Sequence, residues 1–175
     1  MPPCCGDAST SLVTTPAASS NTGWRLEGAA VFRHRDGPAR LAYRVECDGA
    51  WRTVSGRIQG FVGPRDIDYR VARRGAAWTL NDAPATGLDL SFTPATNLQQ
   101  LRRVAIGEGE AVQLPVAWLD VDAGTLTRLP QIYERRGAAA LWYRAPSVGY
   151  EGMLGLAPNG FIGRYPGLWE AEPPP

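Results

Sequence analysis

The sequence contains no lysine, and all 18 of its basic residues are arginine. This absence excludes a Schiff-base lysine, a lysine general base and the lysine of a phosphate-binding loop. Histidine is almost as scarce, because His34 is the single example. A histidine-rich metal site or a Ser-His-Asp triad is therefore not expected. His34 lies between Arg33 and Arg35, just before an Asp-Gly-Pro turn, and we predict that it faces solvent and does not act as a base.

Cysteine is also scarce. Cys4, Cys5 and Cys47 are an odd number, and two of them are adjacent near the start of the chain, so no disulfide framework is indicated. None has partner ligands at zinc-finger spacing, and we predict neither a metal nor another cofactor. Cys47 is expected to be a small buried residue. A secretory signal and a run of about 20 apolar residues are both missing. These features predict a cytoplasmic protein without a membrane span.

The charges balance, since 18 basic residues face 17 acidic ones and the formal net charge is +1. The two signs are interspersed along the chain, so no nucleic-acid partner is predicted. The length of 175 residues suits one domain. Twenty glycines and 15 prolines divide the chain into short segments, which disfavours long helices and favours an all-β fold.

Three regions are predicted from the changes in amino-acid composition along the sequence. Residues 1–23 are polar and form a flexible tail, residues 24–170 form a single β domain, and residues 171–175 form a Pro-rich tail. Short segments rich in β-branched and aromatic residues are separated by turn residues within the domain. The predicted strands are 24–33, 40–47, 51–61, 66–73, 76–80, 88–92, 110–121, 125–135, 139–145, 150–156 and 160–165.

Alternation within these segments predicts strands that are wet on one face. Residues 41, 43 and 45 are apolar while 44 and 46 are charged, and residues 88, 90 and 92 are apolar while Asp89 faces the other way. Compact turn sequences between neighbours favour hairpins. The fold class predicted is therefore all-β, an antiparallel β-roll or half-barrel of about 11 or more strands, with one short helical or loop crossover at 94–106 that could act as a lid.

Aromatic residues and arginines alternate along several strands, a pattern that suits an amphiphile with an apolar tail and a polar or anionic head. Ordinary core aromatics with solvated arginines would produce the same pattern. The carboxylate pairs Asp66/Asp68 and Asp120/Asp122 share a strand face or cap a turn. No catalytic residue is predicted. The predicted ligand-binding residues are Tyr43, Trp51, Tyr69, Phe92, Asn97, Arg102, Arg103, Trp118 and Tyr133.

Four strings carry a resemblance to a known family. They are YRVECDGAWRT at 43–53, DLSFTPATN at 89–97 followed by LRR at 101–103, VAWLDV at 116–121 and YPGLW at 165–169. In this order the chain resembles the bacterial "putative glycolipid-binding" family, first catalogued as a domain of unknown function. The resemblance implies an antiparallel β-roll similar in shape to carriers that hold acyl chains in a curved sheet. It implies a ligand class and no catalytic residue.

The function predicted is non-enzymatic binding of a lipid or glycolipid in an aromatic-lined cleft. The alternatives are a small hydrolase or isomerase that uses carboxylates such as Asp120 and Asp122, and a protein-interaction module that uses an open sheet edge. The open edge is expected because members of the family carry a further Trp-containing strand where this sequence has the polar residues 1–23. Either that strand is missing, or the chain begins at a misassigned or truncated start.

Overall fold

The structure, a computed structural model, describes residues 10–16, 23–74, 77–80, 83–85 and 89–171. These ranges hold fourteen strands, one short α-helix and two 3-10 turns. The elements are β1 Thr10–Pro16, β2 Trp24–His34, β3 Gly37–Cys47, β4 Thr53–Val62, β5 Arg65–Arg74, β6 Ala77–Leu80, β7 Ala83–Ala85, β8 Asp89–Leu90, a 3-10 turn Pro94–Thr96, α1 Asn97–Arg103, β9 Ala111–Asp120, β10 Thr125–Gly137, β11 Ala140–Ala145, a 3-10 turn Pro146–Val148, β12 Tyr150–Leu156, β13 Ile162–Tyr165 and β14 Trp169–Glu170. The predicted all-β architecture is confirmed.

The first seven strands form one antiparallel sheet in sequence order, β1 to β7. Short turns join β2 to β3 and β4 to β5, as the compact turn sequences predict, and β2 pairs with β3 along its whole length from Trp24↔Cys47 to His34↔Gly37. Side chains alternate as expected, because Leu41, Tyr43 and Val45 are buried while Arg44 is exposed. This sheet therefore presents one apolar face.

The second sheet contains the other seven strands, and its spatial order is again that of the sequence, from β14 to β8. All of its pairs are antiparallel except the short parallel contact of β8 with β9, which joins Asp89 to Trp118 and Leu90 to Leu119. Two packed layers follow, since each sheet has to bury an apolar face. One core cluster includes Leu41, Ile58 and Leu119 from both sheets, and a second centres on Tyr133 and Leu141.

The segment between β8 and β9, two parallel neighbours of the second sheet, is the crossover that the sequence predicts at 94–106. The Thr93 side chain accepts a hydrogen bond from Ala95 N, Pro94 occupies the first turn, and the helix α1 follows. Leu98 and Gln99 are buried. The Cys47 thiol and the Thr53 hydroxyl, both in the first sheet, donate to Gln99 Oε1. These contacts hold the helix in the core, which differs from a lid on the surface.

Three strands lie outside the predicted set. The predicted polar tail at 1–23 includes β1, which pairs with β2 from Thr10↔Ala30 to Pro16↔Trp24, so the tail prediction is corrected for these seven residues. A polar segment can form a strand because the hydrogen bonds between strands use the backbone N–H and C=O groups that every non-proline residue carries. The edge of β2 that was expected to be open is covered. The other unpredicted strands, β7 and β14, have only three and two residues.

No helix in the described part of the chain is long and apolar enough to cross a membrane. Cys47 is a buried free cysteine, as the sequence predicts, whereas Cys4 and Cys5 lie outside the described residues. Burial raises the pKa of the Cys47 thiol to about 12, so the thiol stays protonated at neutral pH. Its role is that of a small core residue.

Candidate functional site

A cavity of about 360 Å³ lies between the two sheets. Its volume is near the lower end of the range of about 300–1,000 Å³ that is usual for ligand sites. Strand residues from both sheets, the loop before α1 and the 3-10 turn at 146–148 contribute to its walls. The lining residues that the following argument uses most are Phe32, His34, Asp89, Phe92, Asn97, Trp118, Asp120, Asp122, Tyr143, Ala145, Tyr150, Tyr165 and Trp169.

Aromatic rings of the second sheet form one wall. Tyr143 on β11 is the centre of this group, with its ring centroid 4.9 Å from Tyr133, 5.9 Å from Tyr150 and 5.7 Å from Tyr165. Tyr150 and Tyr165 lie 5.0 Å apart. The strand pairing explains the cluster, because Tyr133 is the register partner of Tyr143 and Tyr150 is the partner of Ala145 on the same face. Burial raises the pKa of Tyr143 and Tyr165, so both phenols stay neutral.

A chain of buried polar side chains forms and backs the floor of the cavity: Asp89 and Asn97 line the cavity, and Thr96, Gln131 and Tyr133 lie behind them. Gln131 Nε2 donates to Asp89 Oδ2 over 2.6 Å, and the Thr96 hydroxyl donates to Asp89 Oδ1. Tyr133 in turn donates its hydroxyl to Gln131 Oε1 (3.0 Å) and accepts a hydrogen bond from Asn97 Nδ2 (2.7 Å). Each of these five residues is buried. The network satisfies polar groups that would otherwise be costly inside the protein.

Asp89 is buried, contrary to the prediction that it lies on the wet face of its strand. Its position in a two-residue strand between β9 and the crossover points the carboxyl group inward. Desolvation by burial raises the pKa of Asp89 to about 6, although hydrogen bonds from Thr96, Gln131 and the Leu90 backbone oppose the shift. The floor of the cavity therefore holds a carboxyl group that titrates just below neutral pH.

His34 is also buried, so the prediction that it faces solvent is wrong. It ends β2 at the cavity wall, and its Nδ1 accepts a hydrogen bond from Asp36 N over 3.1 Å. This acceptor role places the proton of the neutral ring at Nε2. Nε2 lies 2.7 Å from Asp122 Oδ1, within ion-pair distance, although the two groups are not aligned as a hydrogen bond. The sequence shows only the flanking arginines, whereas the fold brings the turn after β9 to cover the ring.

The carboxylates Asp120 and Asp122 both line the cavity, but one of them has a structural role in the turn. Asp120 Oδ1 accepts hydrogen bonds from the backbone N–H groups of Asp122 (2.9 Å) and Ala123 (3.2 Å). Asp120 therefore caps the turn, which is one of the two roles that the sequence predicts for the pair Asp120/Asp122. Asp122 faces His34 and two arginines, with Arg35 Nη2 at 3.8 Å and Arg65 Nη2 at 4.0 Å. The two carboxylates thus have different partners.

The structure brings five of the nine predicted ligand-binding residues to the cavity or directly behind it. Phe92, Asn97 and Trp118 line it. Tyr133 belongs to the polar network of the floor, and Tyr43 packs edge-on against Phe92, with the ring centroids 6.0 Å apart.

The other four predicted residues lie elsewhere. Trp51 stacks on Trp24 with ring centroids 4.6 Å apart, and Tyr69 is half-buried against the first core cluster. Arg102 donates to the Asn159 carbonyl oxygen over 3.0 Å, and Arg103 donates to Gln100 Oε1 over 3.2 Å. Both arginines are exposed residues of α1 outside the lining of the cavity.

Several residues of the cavity were not predicted as ligand contacts. Asp89 could not be distinguished from a solvated residue by alternation, because β8 is too short to establish a period. The rings of Tyr143, Tyr150 and Tyr165 come together only through strand pairing across β11, β12 and β13. Alternation does predict that Tyr143 shares a buried face with Leu141 and Ala145, and that signal was available in the sequence.

Within the described residues, no group of three or more potential ligands from His, Cys, Asp and Glu is arranged to hold a metal ion. The chemistry offered by the cavity is that of aromatic faces, a buried carboxyl–amide network and carboxylates beside a neutral imidazole. Such a lining can bind apolar groups and hydroxyl groups together.

Comparisons with known proteins agree with this fold. The family model described as "Putative glycolipid-binding" matches residues 10–171. A solved structure from Pseudomonas aeruginosa, described as that of a DUF1089 family protein, aligns with a TM-score of 0.79 and 17% sequence identity. The alignment covers 95% of this chain and 93% of that chain, and it shows that the two share a fold. No curated protein matches the chain significantly.

Proposed function

The chain belongs to the family described as "Putative glycolipid-binding", and from this premise we propose that it binds a lipid or glycolipid, without catalysing a reaction, in the cavity between its two sheets. The observation that carries the proposal is the composition of that cavity. Aromatic rings of Tyr143, Tyr150 and Tyr165 supply apolar contact area, and Asp89 and Asn97 supply fixed polar partners. Sites for small amphiphiles combine these two features.

The volume limits which part of a ligand can enter. A cavity of about 360 Å³ is small among ligand sites, and a whole long-chain glycolipid would exceed it. We expect the head group, or a head group with a short length of chain, to lie inside. The remainder of the chain leaves through the entrance, where Leu168 and Trp169 are half-buried and Ser147 is exposed.

Two proton-transfer groups of the cavity are engaged with the protein. His34 uses Nδ1 to accept a backbone hydrogen bond, and its Nε2 faces Asp122. Asp120 Oδ1 caps a turn. A general base needs a lone pair directed at the substrate, so a hydrolase or isomerase that uses His34 or Asp120 receives little support from this arrangement. An enzyme alternative would have to use Asp89, which also lines the cavity.

The first test is native mass spectrometry of the full chain purified from a bacterial host. The expected result is a co-purified adduct whose mass matches a lipid or glycolipid, or, after delipidation, a saturable shift of tryptophan fluorescence during titration with octyl β-D-glucopyranoside. Trp118 and Trp169 line the cavity and can report occupancy. Burying each methylene contributes about 0.8 kcal/mol, so affinity should rise from butyl to octyl glucoside.

A pair of matched variants locates the site. Ala145→Leu adds three carbon atoms to a buried cavity wall, and we expect octyl glucoside binding to weaken at least tenfold in the folded variant, because the larger side chain occupies part of the cavity. Ala42→Leu makes the same change on the opposite face of the first sheet, where Ala42 is half-buried, and should leave binding unchanged. Equal binding by the wild type and the folded Ala145→Leu variant would place any ligand outside this cavity.

A further inference from the structure

The cavity carries negative charge. Asp89, Asp120 and Asp122 line it, and none of its described lining residues is an arginine. Arg35 and Arg65 approach Asp122 from outside the lining, at 3.8 and 4.0 Å, and partly offset that carboxylate. The lining thus differs from the arginine-rimmed cleft that the aromatic–arginine alternation predicts. An anionic group that entered this space would meet carboxylates in a region screened from water.

Asp89 and Asn97 are polar residues in the buried part of the cavity lining, whereas Asp120 and Asp122 are half-buried. Asp89 is 8% exposed and Asn97 is 4% exposed, whereas Leu168 and Trp169 near the entrance are half-buried. An ionised carboxylate has about four lone-pair sites. Thr96, Gln131 and the Leu90 backbone act on Asp89, which leaves acceptor capacity toward the cavity. A hydroxyl group can use this capacity, whereas a methylene group would leave it unpaired.

The side-chain amide of Asn97 adds a second polar group to the same space, because Asn97 also lines the cavity. Its Nδ2 donates one hydrogen bond to the Tyr133 hydroxyl over 2.7 Å, and a primary amide carries a second N–H donor and a carbonyl acceptor. His34 adds no donor here, since its Nε2 is buried and lies 2.7 Å from Asp122 Oδ1. The cavity therefore offers an acceptor at Asp89 and an amide at Asn97. A sugar hydroxyl can donate to the first and accept from the second.

We infer that the cavity selects amphiphiles whose head group is uncharged and rich in hydroxyl groups, and that it discriminates against anionic head groups. The head lies against Asp89 and Asn97, and the alkyl chain runs along Tyr150 and Trp169 to the entrance. This inference rests on the proposed function and makes it narrower, since it names the ligand class. It also narrows the expectation from the sequence, in which the alternation of aromatic residues and arginines suits either a polar or an anionic head.

The test compares two amphiphiles that have tails of similar length, octyl β-D-glucopyranoside and octanoate, each titrated below its micelle concentration at pH 7.5 and 0.15 M salt. Binding is followed by isothermal titration calorimetry and by tryptophan fluorescence on the full chain. We expect saturable binding of the glucoside, with octanoate at least tenfold weaker. At pH 7.5 octanoate is ionised, and so is Asp89, whose pKa of about 6 lies below that pH.

Three variants assign the selectivity to the cavity. Asp89→Asn removes the buried charge and should reduce the glucoside-to-octanoate ratio at least fivefold. Asp120→Asn keeps an oxygen that can cap the turn, so it tests the charge at the wall even if the first variant does not fold. Asp68→Asn makes the same change on the exposed face of β5, where Asp68 pairs with Arg57 (3.2 Å), and should leave the ratio unchanged.

The outcomes separate this inference from the proposed function. Octanoate binding as tightly as the glucoside would overturn the inference and leave lipid binding in place. A ratio that responds equally to Asp120→Asn and Asp68→Asn would also overturn it, since the effect would then be one of overall charge. Saturation by neither amphiphile, with no adduct after purification, would overturn both. Selectivity for the glucoside that falls in the cavity variants alone supports both.

Discussion

Asp89 is the described carboxyl group whose burial changes the pH dependence of folding between about pH 4 and pH 6. Its pKa rises from the ordinary value of 3.8 to about 6, so the folded state holds this proton more tightly than the unfolded state does. The sign follows from linkage: the contribution of Asp89 to stability is highest below about pH 4, falls as the pH rises to about 6 and is then level. At about 1.4 kcal/mol for each pH unit, the loss is roughly 3 kcal/mol.

We therefore expect the stability difference between the wild type and Asp89→Asn to change by roughly 2 kcal/mol between pH 4 and pH 7, with the wild type losing stability relative to the variant. Urea unfolding at several pH values measures this difference. Asp68→Asn, at an exposed carboxylate, is the control and should follow the wild type across the range. Parallel curves for the wild type and Asp89→Asn would mean that the Asp89 carboxyl is not desolvated.

Among the strands, the pairing of β2 with β3 depends on a glycine, because Gly28 has no side chain at the point where the strands carry Tyr43. Gly28 is the register partner of Tyr43, and the tyrosine ring lies over it. A Cβ atom built on Gly28 would be 2.4 Å from the Tyr43 hydroxyl oxygen and 2.7 Å from Cζ, which is closer than real contacts allow. The glycine therefore leaves room for an aromatic ring that itself packs against Phe92 at the cavity wall.

Gly28→Ala should accordingly destabilise the protein by about 1–3 kcal/mol, because the ring must move within a packed core. The measurement is the free energy of unfolding in urea, with near-ultraviolet circular dichroism as a readout of tyrosine packing. Gly137→Ala provides the control, since Gly137 is paired with Ala140 at the end of β10 and has no atom within 4 Å of a built Cβ. We expect that change to stay within about 0.5 kcal/mol of the wild type. Equal effects at both sites would refute the packing argument.

For the whole molecule, the contact of His34 with Asp122 matters because it joins the two sheets. His34 ends β2 in the first sheet, and Asp122 lies in the turn between β9 and β10 of the second. Arg65 of β5 strengthens the same junction by donating to the Asp122 carbonyl oxygen over 3.2 Å. Both contacts lie beside the cavity, so they hold its walls at a fixed separation.

Asp122→Ala should lower the free energy of unfolding by about 1–3 kcal/mol, because it leaves the buried Nε2 of His34 without a carboxylate. Asp68→Ala removes an exposed carboxylate that pairs with Arg57 and should cost at most about 1 kcal/mol. Thermal and urea unfolding of the two variants check the contrast. A loss as small at Asp122 as at Asp68 would show that the His34–Asp122 contact contributes little to the junction.

Most of the architecture follows from the sequence, because strand alternation and turn chemistry are local. Each of the eleven predicted segments overlaps a strand of the structure, and the helix lies in the segment at 94–106, which lacks strand alternation. Three strands were not predicted: the polar β1 and the short β7 and β14. Each of them pairs with a neighbouring strand but has too few apolar residues to show an alternation. The family could also be predicted from the sequence, because the four strings that carry the resemblance lie within the matched residues 10–171.

The positions of the polar groups, and the charges that face the cavity, depend on the tertiary structure. Local sequence patterns predict that Asp89 and His34 are exposed. Both are buried because segments distant in sequence pack against them. The helix α1 directs Arg102 and Arg103 away from the site, although their neighbour Asn97 lines it. Alternation reports the face of a strand on which a residue lies, whereas burial and local charge depend on what packs against that face, and this is a property of non-local contacts.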